Sequence, residues 1–540
     1  MTVDHVVVLC LENRSFDHML GFLRHPDPTY QGLLGGGVHG NRGSDGKLVE
    51  ATPDAKSVIP YGPDHSHDAV MQQLGYAGIS AAATNQGFVR SYELKASGRS
   101  PSTKGGLIAD LMRRFERPTT NPAGARRGPL VMRCMSPERV PVLTTLAREF
   151  AVCDNWFCSV PGETWPNRNY LHAATSDGEV NIEIRPYRNR TIFELLEDNG
   201  RDWRIYHDDT PQVWAFPRLW DSADRHAKWF PMERFYGHVA AGDLPPYTFI
   251  EPNHRPPVHT VDRLSGASAA AARSDSQHPE NNLVSDAAYD GYVDDVPTDF
   301  ERGEQLIARI YEALRANAAL FERTVLVITY DEHGGWYDHV PTTARVPAPG
   351  RVHASLPTRV MHRLWRTNAT AFDFTTLGVR VPTVVVSPLI EAAKVDHTAY
   401  EHASVPATLR RIFAPHAEPL TARDAVAATF DSLWTGSVAR TDLPDLSQYA
   451  AGPAATAPVA TAAVAAAEPG DTERDWVPDY YREFVSQADE VRRHLQKVRE
   501  PETEGLGPIT SPEDGHAITQ EFQRAAERHR GARGTSSARP

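Results

Sequence analysis

The sequence predicts an α/β fold built on a mostly parallel sheet with helices on its faces. Two observations point there: apolar, β-branched runs alternate with stretches of helical periodicity, and the first run, Val6 to Leu11, is apolar throughout, as a buried strand is. A third is how that run ends. In "VVVLCLENRSFDH" it breaks at once into Glu12, Asn13, Arg14, Ser15 and Asp17, and open α/β sheets hold ligands at such strand ends. A helix start explains the same break, since Asn13 and Ser15 are both good N-caps for "FDHMLGFL".

The elements follow in order: "HVVVLCL", "VPVLTTLAREF", "TIFELLEDN", "RDWRIYH", "YTFIEP", a long helix in "GEQLIARIYEALRANAALFE", then "TVLVITY", "VPTVVVSPLI" and "SVPATLRRIF". Between them lie stretches rich in Gly, Pro and Asp, at residues 24–66, 95–130, 252–300 and 339–372. Loops of that length are expected as insertions around an active-site rim.

The organisation expected is a catalytic domain over 1–449, an Ala/Pro-rich linker over 450–470, a C-terminal helical segment over 471–499 and a disordered tail over 500–540. The linker "AAGPAATAPVATAAVAAAEPG" is broken by Pro453 and Pro458, so it reads as a flexible tether and not as a transmembrane segment. "DWVPDYYREFVSQADEVRRHLQKV" has the pattern of an amphipathic helix that docks on the body.

Charge and cysteine usage exclude other classes. With 56 Lys+Arg against 69 Asp+Glu in 540 residues, the formal net charge of -13 repels a polyanion, so no nucleic-acid partner is expected. The four cysteines form no CxxC pair and read as buried free thiols. The start "MTVDHVVV" has no basic region and too short an apolar run for a signal peptide. As written the chain reads as cytoplasmic, and as exported if the start is misassigned.

The chemistry concentrates at three places. "TVLVITYDEHGGWYDHV" repeats the first strand's architecture, presenting Asp331 and Glu332 at its end, with Asp338 and His339 beyond. Two acids at the end of a buried strand repel unless a cation or a shared proton intervenes. With Glu12 and Asn13, four oxygen ligands for a hard metal could meet at one sheet edge, the alternative for Asp331 and Glu332 being an exposed acidic turn before Gly334 and Gly335. The third place is "CSVPGETWPNRNYLHAATSDG", where Thr164 stands at a helix start and has two readings. It is either a plain N-cap, or an alcohol at the positive end of a helix dipole that a metal turns into a nucleophile.

Five blocks together, "CLENRSFDHMLG", "PGETWPNRNYLHA", "FIEP", "YDEHGGWYDHV" and "GVRVPTVVVSPLI…YEHASVPATLRRIF", resemble the bacterial phosphoesterase family of phospholipases C and acid phosphatases. That family lies within the alkaline-phosphatase-like superfamily, and the resemblance spans roughly residues 4 to 415. It implies a three-layer sandwich with long loop insertions. It also implies Glu12, Asn13, Asp331, Glu332 and Thr164 as ligands of a divalent metal (Ca, Mg, Mn or Zn), with Thr164 as the nucleophile. His67, His207 and His278 match the histidines that surround the phosphate; His65 competes with His67, and His339 and His402 stand in reserve. Arg14 and Arg168 are either anion-orienting groups or structural clamps.

The implied activity is metal-dependent hydrolysis of a phosphoric ester through a phosphothreonine intermediate, phospholipase C-like, with His278 protonating the leaving oxygen. The substrate is then a phosphate ester, including phospholipid at a membrane surface. An acid phosphomonoesterase is the nearest alternative. A phosphoryl transferase and a non-catalytic metal-binding protein are rivals from other classes.

Overall fold

The computed structural model describes residues 2–75, 83–98, 126–182, 185–254, 274–293, 297–342, 345–350, 372–451, 491–493, 495–496 and 512–536. The strands of its main sheet are β1 (His5–Leu11), β2 (Ala151–Cys153), β3 (Trp203–Tyr206), β4 (Trp229–Phe230), β5 (Tyr247–Ile250), β6 (Thr324–Tyr330), β7 (Thr383–Val386) and β8 (Lys394–Asp396). They form one 8-stranded sheet in the order β8-β2-β7-β6-β1-β5-β3-β4. Strand β7 runs antiparallel to β2 and β6, and the other pairings are parallel. The sheet is therefore mostly parallel, as the sequence predicts.

The principal helices are α1 (Phe16–Leu20), α2 (His67–Leu74), α3 (Pro141–Glu149), α4 (Thr164–Ala173), α5 (Ile192–Asp198), α6 (Met232–Ala241), α7 (Asp299–Ala316), α8 (Ser404–Phe413) and α9 (Pro512–Ser536). Helix α7 packs on α3 and α6, while α8 packs on α4 and α5, and β3 touches both α5 and α6. These two sets are the outer layers of the sandwich. Both α5 and α7 begin with capping boxes, Thr191 with Glu194 and Thr298 with Glu301, which fix where each helix starts.

Strands β1 and β6 lie side by side in mid-sheet, and the whole of β6 and all of β1 beyond His5 are buried. Each buried aliphatic side chain contributes about 1.5–3 kcal/mol, which anchors two strands whose ends are polar. All four cysteines are buried free thiols.

The C-terminal region departs from expectation. The Ala/Pro linker lies outside the described residues beyond Ala451, and the segment over 471–499 is described only at 491–493 and 495–496. Within the stretch expected to be disordered, Pro512–Ser536 is helix α9. Ile518, Phe522, Ala525 and Ala526 are buried at helical spacing, with the Phe522 ring 4.0 Å from that of His226 and 4.8 Å from that of Trp214. A narrow apolar stripe suffices to dock a helix whose overall composition is polar. Among the described residues, no helix is long and apolar enough to cross a membrane.

Candidate active site

The parallel register pairs Leu11 with Tyr330, so Glu12 and Asp331 leave the sheet at the same level. The Asp331 amide donates to the Leu11 carbonyl at 3.1 Å, and the Asn13 amide donates to Asp331 Oδ1 at 2.9 Å. Asn13 adopts a left-handed φ of 58°, which asparagine tolerates better than most residues. Gly334 is needed opposite it: its φ is 64°, and a Cβ there would lie 2.1 Å from the Asn13 carbonyl oxygen.

Helix α4 brings in the alcohol. Glu163 occupies the cap position and Thr164 is the first helical residue, so Thr164 is not the N-cap. Its hydroxyl donates across to Asn13 Oδ1 at 3.2 Å. A turn closed by Gly162 sets this approach, since a Cβ there would lie 2.0 Å from the Val180 carbonyl oxygen. Asn13 Nδ2 lies 2.9 Å from His278 Nε2, and His278 Nδ1 accepts from the Glu280 amide at 3.1 Å. Asn13, Thr164, Asp331 and His278 thus form one hydrogen-bonded group.

Charge is crowded behind it. Arg168 Nε donates to Asp331 Oδ2 at 3.1 Å and Nη1 to Glu251 Oε1 at 2.9 Å. His254 Nδ1 is 2.8 Å from Glu12 Oε2, within ion-pair distance. Burial would raise the Glu12 carboxyl, but His254 and Arg168 outweigh it and hold it at about 2. Burial also opposes the charge on His254, yet Glu12 and Glu251 push it up to about 10. Asp331 and Glu332 are pushed up by burial to about 6 and about 8, their nearby cations compensating only in part.

Glu332 Oε1 is buried without a hydrogen-bond partner. An incompletely neutralised acid set with an orphaned oxygen, beside an amide and an alcohol, fits a hard divalent cation. The carboxylates of Glu12, Asp331 and Glu332 are not drawn into a cluster as tight as that of Asp17, Asp338 and His339, whose ligand atoms lie within 4.8 Å of one another. That second group meets metal-ligand spacing but is already occupied by protein. Arg380 donates to Asp338 Oδ1 at 2.9 Å and to Asp17 Oδ1 at 3.0 Å. Asp17 Oδ2 faces His339 Nδ1 at 2.7 Å, and Asp338 Oδ2 accepts from the Asp17 amide at 3.2 Å.

The histidines divide. His278 is in the hydrogen-bonded group. His67 Nδ1 lies 2.5 Å from the Pro161 carbonyl oxygen in the turn before Thr164, so it supports that turn. His207 follows β3, two strands from β1, among the rings of Trp214, Trp229 and Phe522. None of the bonds of His67 and His207 described here reaches Thr164 or Asn13. His65 instead stands beside His278, ring centroids 5.9 Å apart; burial lowers it, but Glu332, Glu280 and Glu163 raise it further. His402 Nε2 lies 2.5 Å from the Asp331 carbonyl oxygen and His339 belongs to the Arg380 cluster. Arg14 donates to the Gln277 carbonyl at 2.8 Å, next to His278, and lies over the Phe300 and Trp336 rings. Sequence reasoning missed Glu251, His254 and Arg380. Glu251 carries the signal that found Glu12, an acid directly after an apolar strand.

Carboxylates, an amide and an alcohol thus gather at the carboxyl edge of a mostly parallel sheet, where α/β enzymes bind their ligands. The signature of the Phosphoesterase family matches residues 3–414, and the chain belongs to that family, as a hydrolase acting on phosphoester bonds. Non-specific phospholipase C6 of Arabidopsis thaliana is 33% identical over 462 residues, covering 82% of this chain and 74% of its own length. Phospholipase C B of Mycobacterium tuberculosis is 27% identical over 460 residues, covering 80% of this chain and 77% of its own. Among solved structures, a protein in the alkaline phosphatase superfamily from Vibrio parahaemolyticus aligns at a TM-score of 0.29 and 10% identity, over 53% of this chain and 64% of its own.

Proposed function

We propose that the chain cleaves phospholipids as a phospholipase C, with Thr164 as the nucleophile. The observation that supports this most is the Thr164 hydroxyl bonded to Asn13 Oδ1 at the start of α4, with Asn13 tied to Asp331. The N–H groups of the first turn of α4 receive a phosphate oxygen. Asn13 orients the hydroxyl, whose proton passes to solvent as a Thr164 Oγ–P bond forms in line and the P–O bond to diacylglycerol breaks. His278 supplies the proton that the leaving oxygen takes. Water then cleaves the threonine–phosphorus bond and releases the head-group phosphate. A divalent cation held by Glu12, Asn13, Thr164, Asp331 and Glu332 would neutralise phosphate charge and lower the pKa of the alcohol. The substrate class comes from the relatives, named as phospholipases C.

The test pairs Thr164→Ala with Thr164→Ser. Ala is expected to abolish turnover while the fold stands, Ser to keep measurable activity, and acid quenching to trap the phosphoryl adduct on the peptide containing "GETWPNR". A folded, metal-loaded Ala variant working near the parental rate overturns the nucleophile. Phosphatidylcholine vesicles, p-nitrophenyl phosphorylcholine and p-nitrophenyl phosphate run side by side separate diesterase from monoesterase. Preference for the last would make the enzyme an acid phosphomonoesterase.

A further inference from the structure

We propose that Glu251 is a positioning residue for the reaction, holding two of the proposed metal ligands in place through Arg168 and His254. The inference rests on the metal site proposed above. Glu251 is the first residue after β5, which pairs with β1 in parallel and carries it to the same edge as Glu12. One of its oxygens, Oε1, takes three donors: Arg168 Nη1 at 2.9 Å, the Gln212 amide at 3.0 Å and His254 Nε2 at 3.1 Å.

Each of the two side chains then reaches a different ligand. Arg168 turns its Nε to Asp331 Oδ2 at 3.1 Å, with Nη2 bonded to the Cys10 carbonyl at 2.9 Å and 3.8 Å from Glu12 Oε1. His254 places its other nitrogen, Nδ1, 2.8 Å from Glu12 Oε2. The fork of Arg168 is planar and rigid, so fixing one arm on Glu251 fixes the angle at which the other meets Asp331. The imidazole likewise spans two carboxylates with its two nitrogens, so anchoring one end aims the other.

The arrangement also balances charge. Arg168 puts a positive group beside ligands meant for a cation, and Glu251 supplies a negative charge that offsets it. Glu251, Arg168, His254, Glu12 and Asp331 are all buried, where uncompensated charge is least screened. A purely structural Glu251 would tie β5 to the segment at Gln212, and its loss would lower thermal stability alone. A positioning Glu251 sets metal affinity and kcat as well.

The experiment titrates metal-stripped protein with Mn2+ by calorimetry for the parent, Glu251→Gln and Glu251→Asp, with circular dichroism as the check on folding. Partners behind metal ligands typically account for about 10–100-fold in affinity, and a loss of that size is expected for Gln, with Asp recovering part of it. At saturating metal, kcat on p-nitrophenyl phosphorylcholine should fall while KM stays near parental. A folded Gln variant with parental Mn2+ affinity and kcat overturns the proposal. If Gln does not fold, Arg168→Lys serves, because an ammonium cannot span both carboxylates, and parental affinity there overturns it equally. The ring N–H resonance of His254 Nε2, 3.1 Å from Glu251 Oε1, gives an independent readout in metal-free protein, expected in the parent and lost or shifted in Glu251→Gln or, failing that, Glu251→Asp. A parent that binds no Mn2+ sinks the metal site instead, and the resonance then decides alone: an unchanged signal in the variant refutes the bridge.

Discussion

The loops that leave β1 and β6 bring acids together twice. Near the sheet Glu12 meets Asp331 and Glu332; farther out Asp17 meets Asp338. The outer pair is finished by protein, since each carboxylate oxygen has a donor from Arg380, His339 or a backbone amide. The inner set shares Arg168 and His254 with Glu251, and Glu332 Oε1 is left without a partner. Each cluster mixes raised and lowered acids: burial pushes Asp331 and Glu332 up to about 6 and about 8 and raises Asp338, whereas Glu12 is held at about 2 by His254 and Arg168 and Asp17 is held low by His339 and Arg380. The difference teaches what separates a clamp from the proposed site: whether the chain itself supplies a donor for every carboxylate oxygen.

The sharpest way to break this contrast is Asp331→Asn. Activity should fall by more than about 100-fold, beyond the usual cost of losing an outer partner, and bound metal should be lost with it. Full activity in protein shown metal-free by elemental analysis would put both clusters in the same structural role.

Arg380→Met tests the outer cluster. Removing one partner of a buried ion pair leaves uncompensated charge, so stability should drop by about 3–5 kcal/mol in denaturant unfolding. Mn2+ affinity should hold. If it collapses instead, the two clusters work as one centre.

Gly334→Ala presses on the contact between the two loops. Positive φ and the close Asn13 carbonyl should together cost about 1–3 kcal/mol, and kcat should fall because Asn13 moves with its carbonyl. Unchanged kcat would show that the loop can shift without disturbing Thr164.

A third kind of finish is an acid with no cation at its side. Glu304 of α7 is buried, accepts from the amides of Val142 and Leu143, and is pushed up by burial to about 8. Between its ordinary 4.5 and about 8 the folded chain keeps a proton that the unfolded chain has released, so its contribution to stability declines as pH rises through that window. Glu304→Gln should remove the decline. Melting curves at about pH 5 and about pH 8 check it, and parallel profiles for parent and variant would contradict it.

Much of this was legible in the sequence. Apolar runs ending in Glu12–Asn13 and Asp331–Glu332 announced both central strands and the edge where they meet, because burial and polarity change over a single residue. Thr164 was placed at a helix start, but its position one residue after the cap Glu163 and its bond to Asn13, 151 residues away in sequence, come only from the fold. The histidines were harder. His65 and His67 are two residues apart, and a turn directs one toward His278 and the other toward Pro161. Arg380 was illegible because its partners Asp17 and Asp338 are distant in sequence and join it only through the fold. Helix α9 did carry its signal in the spacing of Ile518, Phe522 and Ala525, which overall composition concealed.

The docking of α9 bears on association with other chains. Strand β4 ends the sheet, and an edge strand offers unpaired carbonyls on which a foreign strand can template. Arg530 Nη1 donates to the Trp229 carbonyl at 2.7 Å and to the Ala227 carbonyl at 3.2 Å, while Phe522 covers the Trp229 ring. Helix α9 thus guards one of the two edges of the sheet, and a protein lacking α9 would expose a sticky, aromatic-flanked strand to its neighbours.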